Sequence, residues 1–337
     1  MAVVRPRRPA RDDPVRRRGA GTHQQGPLRV RAGLGTAVTT RQPQWDLACF
    51  SYLAHAQVLH VPRYPGANQG TTVDWTFSSL AGDGPITAQI CATRGLSTAL
   101  VANQVGHDPT GRQVRHSLDA ADVHHRAGSG PVPRHTPQLT VVTDELGTRT
   151  WFADLTHAYA SLQQADTSPL GQARLAYIDG YTVIADAAAD ALHTAAAAGV
   201  PVLLNLGSDP VDAKLRQAAR QAHLFAVQTS LPESQEQDAE HTALSLLAEL
   251  GPHTAVVTVG ALGVAAITRT STHRISARRV DVVHTHGAGA AFSAGLAAAH
   301  LEGHDLTAAL HYACEAGTAH CTTVPSTGTS IRERNAS

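Results

Sequence analysis

The sequence predicts an α/β protein, with a mainly parallel sheet covered by helices on both faces and a small second sheet over a cleft. Three observations carry this prediction. From Trp45 onward, short apolar runs alternate with longer helical stretches, the pattern of strands buried on both faces and joined by crossover helices. Gly199, Gly251 and Gly303 stand just beyond three of those helical stretches, where a left-handed cap favours glycine. Two segments, 57–79 and 138–152, break the alternation with aromatic and β-branched residues around turn signals.

In chain order, residues 1–45 hold ten arginines against Asp12 and Asp13, a net charge of +8, and show no helical or strand period. Such a segment cannot bury enough apolar surface to order itself, so it reads as a disordered basic tail. A nucleic-acid arm is disfavoured because no aromatics interleave its arginines. The strands are predicted at 47–52, 98–105, 175–179, 200–206, 223–227 and 254–259. Helices are predicted at 85–93, 111–121, 185–198, 211–221, 234–250, 288–302 and 306–323. The excursion 57–79 turns at Pro65 and Gly66, and 138–152 reads as strand, turn and strand. His124 and His125 read as solvated loop, and 331–337 as a terminal tail.

Composition narrows the classes. Basic and acidic residues both total 27 in a chain of 337, so no global charge demands a nucleic-acid partner. A hydrophobic content of 42% excludes wholesale disorder. No apolar run reaches the roughly 18 residues of a membrane span, and no apolar stretch follows the early arginines as in a secretory signal. A cytoplasmic location is therefore expected. Cys49, Cys91, Cys314 and Cys321 form no CxxC pair, which signals neither a zinc site nor a disulfide framework.

The stretch 281–303, DVVHTHGAGAAFSAGLAAAHLEG, carries the chemistry. A strand-like DVV runs into Gly287-Ala288-Gly289, and a helix begins beyond it. Glycines allow a tight turn whose free N–H groups, backed by the helix dipole, suit an anion. A glycine turn at a helix start is also a common structural device. Upstream, Thr258-Val259-Gly260-Ala261-Leu262-Gly263 is a second strand ending in glycines, and Gly106-His107-Asp108-Pro109-Thr110-Gly111 links a strand to a helix.

Taken together these motifs resemble the PfkB/ribokinase family of carbohydrate and nucleoside kinases, in matching order from about residue 46 to 330. The family's late signature, D-T-x-G-A-G-D-x-F-x-x-G, is met here by His284-Thr285-His286-Gly287-Ala288-Gly289-Ala290-Ala291-Phe292-Ser293-Ala294-Gly295. The resemblance implies a ribokinase-like three-layer α/β/α sandwich with a small β lid, a sugar- or nucleoside-like ligand beneath it, and ATP with Mg2+. It places nucleotide contacts at Thr258, Gly260 and Gly263, an anion hole at Gly287, Ala288 and Gly289, and a homodimer through the lid.

The departures bear on catalysis. The resemblance puts the proton-accepting Asp at Ala290, which has no titratable atom, and sugar-binding groups at Ala56 and at Ile86 behind Gly82 and Gly84. Of its magnesium-organising Asn-x-x-Glu motif, only Glu233 remains. The expectation is a homologue that binds ATP or a related anion with weak or absent phosphotransfer. The alternative is an active kinase of an unusual acceptor, with His286 as substitute base.

Overall fold

The computed structural model describes residues 42–323 and 329–330. Most of the predicted basic tail (1–41) and the tail 331–337 lie outside the described residues. The chain enters the fold at β1 (Trp45–Phe50) and runs through β2 (Ala54–Val61), β3 (Trp75–Ala81), α1 (Asp83–Thr93), β4 (Thr98–Ala102), α2 (Pro109–Ala120) and β5 (Val123–Ala127). Next come β6 (Gln138–Asp144), β7 (Arg149–Asp154), the short α3 (Tyr159–Leu162), β8 (Ala173–Asp179), α4 (Ala185–Ala198), β9 (Val202–Asn205), α5 (Ala213–Ala219) and β10 (Leu224–Ser230). The last elements are α6 (Ala239–Leu250), β11 (Thr254–Thr258), β12 (Val264–Thr268), β13 (Thr272–Ile275), α7 (Ala288–Leu301), α8 (Leu306–Thr322) and β14 (Thr329–Ser330).

Nine strands form the large sheet, in the order β13-β12-β11-β10-β9-β8-β1-β4-β5. It is parallel from β5 to β11, and β12 runs antiparallel to both of its neighbours, β11 and β13. Side chains alternate between its faces, so one run of apolar residues feeds two cores. From β1, Ala48 and Phe50 join residues of α4, α5 and α6, whereas Leu47 and Cys49 join residues of α1, α2, α7 and α8. This is the three-layer arrangement the sequence predicts.

The second sheet has the order β14-β3-β2-β6-β7. Its β6–β7 turn is shaped by Asp144, whose Oδ1 accepts the amides of Leu146 at 3.1 Å and Thr148 at 2.9 Å. One face buries Ala54, Ala56, Val58, Phe77, Ala81, Leu139 and Val141 against Leu155 and Ala158. The space beneath this face is filled with apolar side chains.

Several predicted elements are corrected. The pair His124 and His125 lies in edge strand β5 rather than in a loop; His124 is exposed, as expected, and stacks on Trp45 at 4.9 Å, whereas His125 is partly buried. Desolvation pushes the His125 imidazole down to about 4, so it is neutral at ordinary pH. The hairpin β12–β13 was not predicted because β12 is a short run diluted by two alanines and β13 has only four residues; β12 is placed by pairing with β11, and β13 by pairing with β12. The predicted helix 211–221 begins only after Asp212, whose extended backbone and carboxylate cap the amides of Lys214 and Leu215. The helix predicted from 234 starts as a 3₁₀ turn, Glu233–Asp238, kinked at Gln235 before α6.

Candidate active site

Two helix starts meet at the centre of the site. The segment before α7 turns at Gly287, in the left-handed region at φ 79°. The Ala288 amide donates to the Thr285 carbonyl at 3.3 Å, so this member of the predicted anion hole is already engaged. The amides of Gly289 and Ala290 have no intrahelical carbonyl to bond. A side chain placed at Gly289 would meet nothing within 4 Å, so the backbone there opens onto free space. Together with the dipole of a 14-residue helix, this is a cradle for an anion. Ala290 is fully buried, and its carbonyl accepts the Thr87 hydroxyl of α1 at 3.1 Å. Ile86 packs toward Gly287: its Cδ1 lies 3.4 Å from where a Cβ on that glycine would stand.

The start of α1 depends on glycine. At Gly82 φ is 95°, and a Cβ would come within 2.2 Å of the Tyr52 carbonyl, so no other residue fits without moving the chain. Gly82, Gly84, Ile86, Gly287, Ala288, Gly289 and Ala290 thus converge on one place. Ala56 stands apart from them, in β2 opposite Ser79 and Leu139 and inside the apolar cluster of the small sheet.

Three imidazoles back the glycine turn. The His286 Nε2–H donates to the Leu80 carbonyl at 3.3 Å, and the His320 Nε2–H donates to the His286 carbonyl at 2.9 Å. The His284 ring lies 5.0 Å from Phe77 and 5.2 Å from His320. Desolvation pushes His284 and His286 down to about 4, and lowers His320 as well, so all three are uncharged near neutral pH. From the small sheet, Arg149 donates to the Thr285 carbonyl at 3.3 Å, tying β7 to the turn.

Thr258, Gly260 and Gly263 gather at the carboxyl end of β11, where ligands of open parallel sheets bind. Gly263 has φ 104°, and a Cβ would lie 2.0 Å from the Ile275 carbonyl. The Glu233 carboxylate accepts the Ala261 amide at 2.8 Å, which holds this loop. Glu233 therefore spends one oxygen on the loop rather than offering both to a metal's water shell. No group of three or more His, Cys, Asp or Glu among the described residues could hold a metal ion. The residues present fit a nucleotide phosphate at the open backbone cradle; Mg2+ would have to arrive on the phosphates. The second turn of α7 sits over the end of β10, with the Ser293 hydroxyl donating to Gln228 Oε1 at 2.9 Å.

Beneath the Gly82–Gly84 turn is a polar network that joins Asp179, which the sequence places at a strand end, to Asn205 of the neighbouring strand. Asp179, at the end of β8, is fully buried and accepts the Gly84 amide at 2.8 Å, the Tyr177 hydroxyl at 2.7 Å and the Asn205 amide at 2.8 Å. Burial, with the nearby Asp83 charge, pushes its carboxyl up to about 7. The available signal was two polar residues, Asp179 and Asn205, closing runs that are otherwise apolar and buried.

Residues 69–333 match the model of the pfkB family carbohydrate kinases. The chain belongs to that family. Among solved structures, this pfkB-family protein is similar to a microbiome-derived acarbose kinase, at TM-score 0.69 and 20% identity over 87% of this chain and 98% of that one. It is similar to the Sinorhizobium meliloti adenosine kinase at TM-score 0.66 and 18% identity, over 87% of this chain and 99% of that one. The Arabidopsis thaliana ribokinase, solved with ribose and ATP, follows at TM-score 0.64 and 18% identity, over 85% of this chain and 94% of that one. At such identities the likeness speaks to the fold alone. No curated protein matches the sequence. No helix among the described residues is long and apolar enough to cross a membrane.

Proposed function

We propose that this pfkB-family protein binds ATP, or a related anion, at the Gly287–Gly289 turn but transfers phosphate to ordinary sugars and nucleosides weakly or not at all. The observation that carries the reading is the pairing of an open backbone cradle at Gly289 with a buried methyl at Ala290. A positioned general base contributes typically 10²–10⁴-fold, or about 3–5 kcal/mol of barrier, and Ala290 can supply none of it. The apolar surroundings of Ala56 add to this, because hydroxyl groups brought there would lose water without gaining partners.

The rival reading makes His286 the base. Its ring is uncharged near neutral pH, which a base requires, but it is 9% exposed and its Nε2 is bonded to the Leu80 carbonyl behind the turn. An acceptor hydroxyl over Gly289 would have to displace that packing to reach it. The strand β7 is exposed along its whole length and carries Trp151 and Phe152, which supports pairing of two copies through this edge. Light scattering should then give twice the monomer mass.

Thermal unfolding with ATP·Mg tests the binding. At a concentration about a hundred times the dissociation constant, ATP should stabilise the protein by about 2.7 kcal/mol. Gly289→Val, which fills the cradle without a backbone clash, should leave the unliganded melting temperature nearly unchanged and abolish the ATP-induced rise. An equal rise in the variant would place the anion elsewhere.

A further inference from the structure

Asp179 and Asn205 lie on neighbouring strands, paired in register, and are 0% and 2% exposed. No ligand in the cleft could touch either without first moving the turn above them. The Asp179 Oδ2 accepts the Gly84 amide, and its Oδ1 accepts both Tyr177 and Asn205. The same Asn205 amide reaches Asp83 Oδ2 at 3.1 Å, and Asn205 Oδ1 accepts the Gly207 amide at 3.1 Å. Two residues of the glycine turn, Asp83 and Gly84, are therefore held from the floor of the large sheet.

We propose that Asp179 and Asn205 are positioning residues that latch the Gly82–Gly84 turn to the sheet, and that one proton on the Asp179 carboxyl loosens the latch. The inference rests on the ligand site proposed above, because α1 carries the turn's position to the anion cradle through Thr87 on Ala290 and Ile86 against Gly287.

The physical ground is burial of the carboxyl, to which the like charge of Asp83 adds. The titratable groups facing the carboxyl are Asp83 of α1, Tyr177 of β8, Tyr181 beyond it, Cys49 of β1 and Tyr52 after that strand. Among the described residues neither Asp179 nor Asp83 forms an ion pair. Two carboxylates sharing one amide donor, Asp179 fully buried and Asp83 partly so, with no counter-charge, disfavour double ionisation. Ionised, Asp179 accepts all three donors. A proton on Oδ2 instead sets an O–H against the Gly84 N–H. The raised value of about 7 puts this change near neutral pH.

The test is a pH titration of the Gly84 amide by 15N NMR in the full chain without ligand. Its shift should titrate with a midpoint near 7 in the native protein and stay flat in Asp179→Asn. Tyr177→Phe removes one donor to the ionised form and should raise the midpoint by about half a unit or more. A native Gly84 amide that stays flat from about pH 5 to 9 overturns the latch. Should Asp179→Asn fail to fold, an unmoved midpoint in Tyr177→Phe overturns it equally. A second arm measures ATP·Mg affinity, which should weaken on acidification more in the native protein than in Asp179→Asn; the nucleotide's own protonation is common to both and cancels. Equal pH dependence in the two proteins would contradict the latch. If neither binds ATP while the Gly84 amide titrates, the latch stands and the anion-site reading fails.

Discussion

At position 290 the side chain is a methyl packed with no exposed surface, between Gly289 and Ala291, and the backbone carbonyl of the residue accepts the Thr87 hydroxyl. Restoring a carboxylate there tests what else has changed. If the missing base were the whole difference, Ala290→Asp should raise a residual transfer rate by about 10²-fold or more. The apolar filling around Ala56 and the Ile86 side chain at the turn argue that the acceptor side has changed as well. We therefore expect Ala290→Asp to bring no gain with common sugars and nucleosides, measured as phosphate transferred from labelled ATP. It should also lower the melting temperature, because the new carboxyl is desolvated. Ala290, Ile86 and the two glycines of the late turn, Gly287 and Gly289, were legible from motif spacing. The Asp179–Asn205 network was not, since its members come from separate strands and meet only through sheet pairing.

At the scale of elements, helix starts and glycine loops fix the site. Asp108 caps α2 by accepting the Gly111 amide at 2.7 Å, and also accepts the Thr136 amide and hydroxyl, each at 2.7 Å. Replacing it with alanine removes the cap and strands Thr136, and should cost about 1–2 kcal/mol in urea unfolding. Gly263→Ala forces an L-residue into φ 104° with its Cβ 2.0 Å from the Ile275 carbonyl. It should cost at least about 1–3 kcal/mol and weaken ATP binding through the displaced loop, read by calorimetry. The buried parallel strands were legible because they are continuous apolar runs bounded by polar turns. Edge strands β5 and β13, and β12 beside the latter, were not, because they are short runs interrupted by His, Arg or Ala and pairing partners decide their conformation.

For the molecule as a whole, titration of buried groups sets acid stability. His125, His284 and His286 are each pushed down to about 4 by burial, from an ordinary value of 6.5. Between those values the unfolded chain binds protons on these histidines that the folded chain does not, so stability falls as pH drops from 6.5 toward 4. Asp179, raised to about 7, works in the opposite sense, since the folded state holds its proton longer. Three histidines outweigh one carboxyl. The melting temperature should therefore decline through that acidic window, and a flat profile would mean that the imidazoles are better hydrated than their burial implies. The family and the layered fold were legible in the sequence because glycine turns at strand ends recur in order along the chain. The filled space beneath the small sheet was not, because it depends on Leu155 and Ala158 folding back under β2.

In the function proposed above, the protein grips a nucleotide without passing on its phosphate. The most direct measurement incubates the purified chain with radiolabelled ATP·Mg and a panel of sugars and nucleosides, following label transferred to each acceptor while the same samples report ATP binding. Bound nucleotide is expected, with label transfer at background. Rapid labelling of any acceptor, at the roughly 1–10³ turnovers per second typical of enzymes, would contradict it.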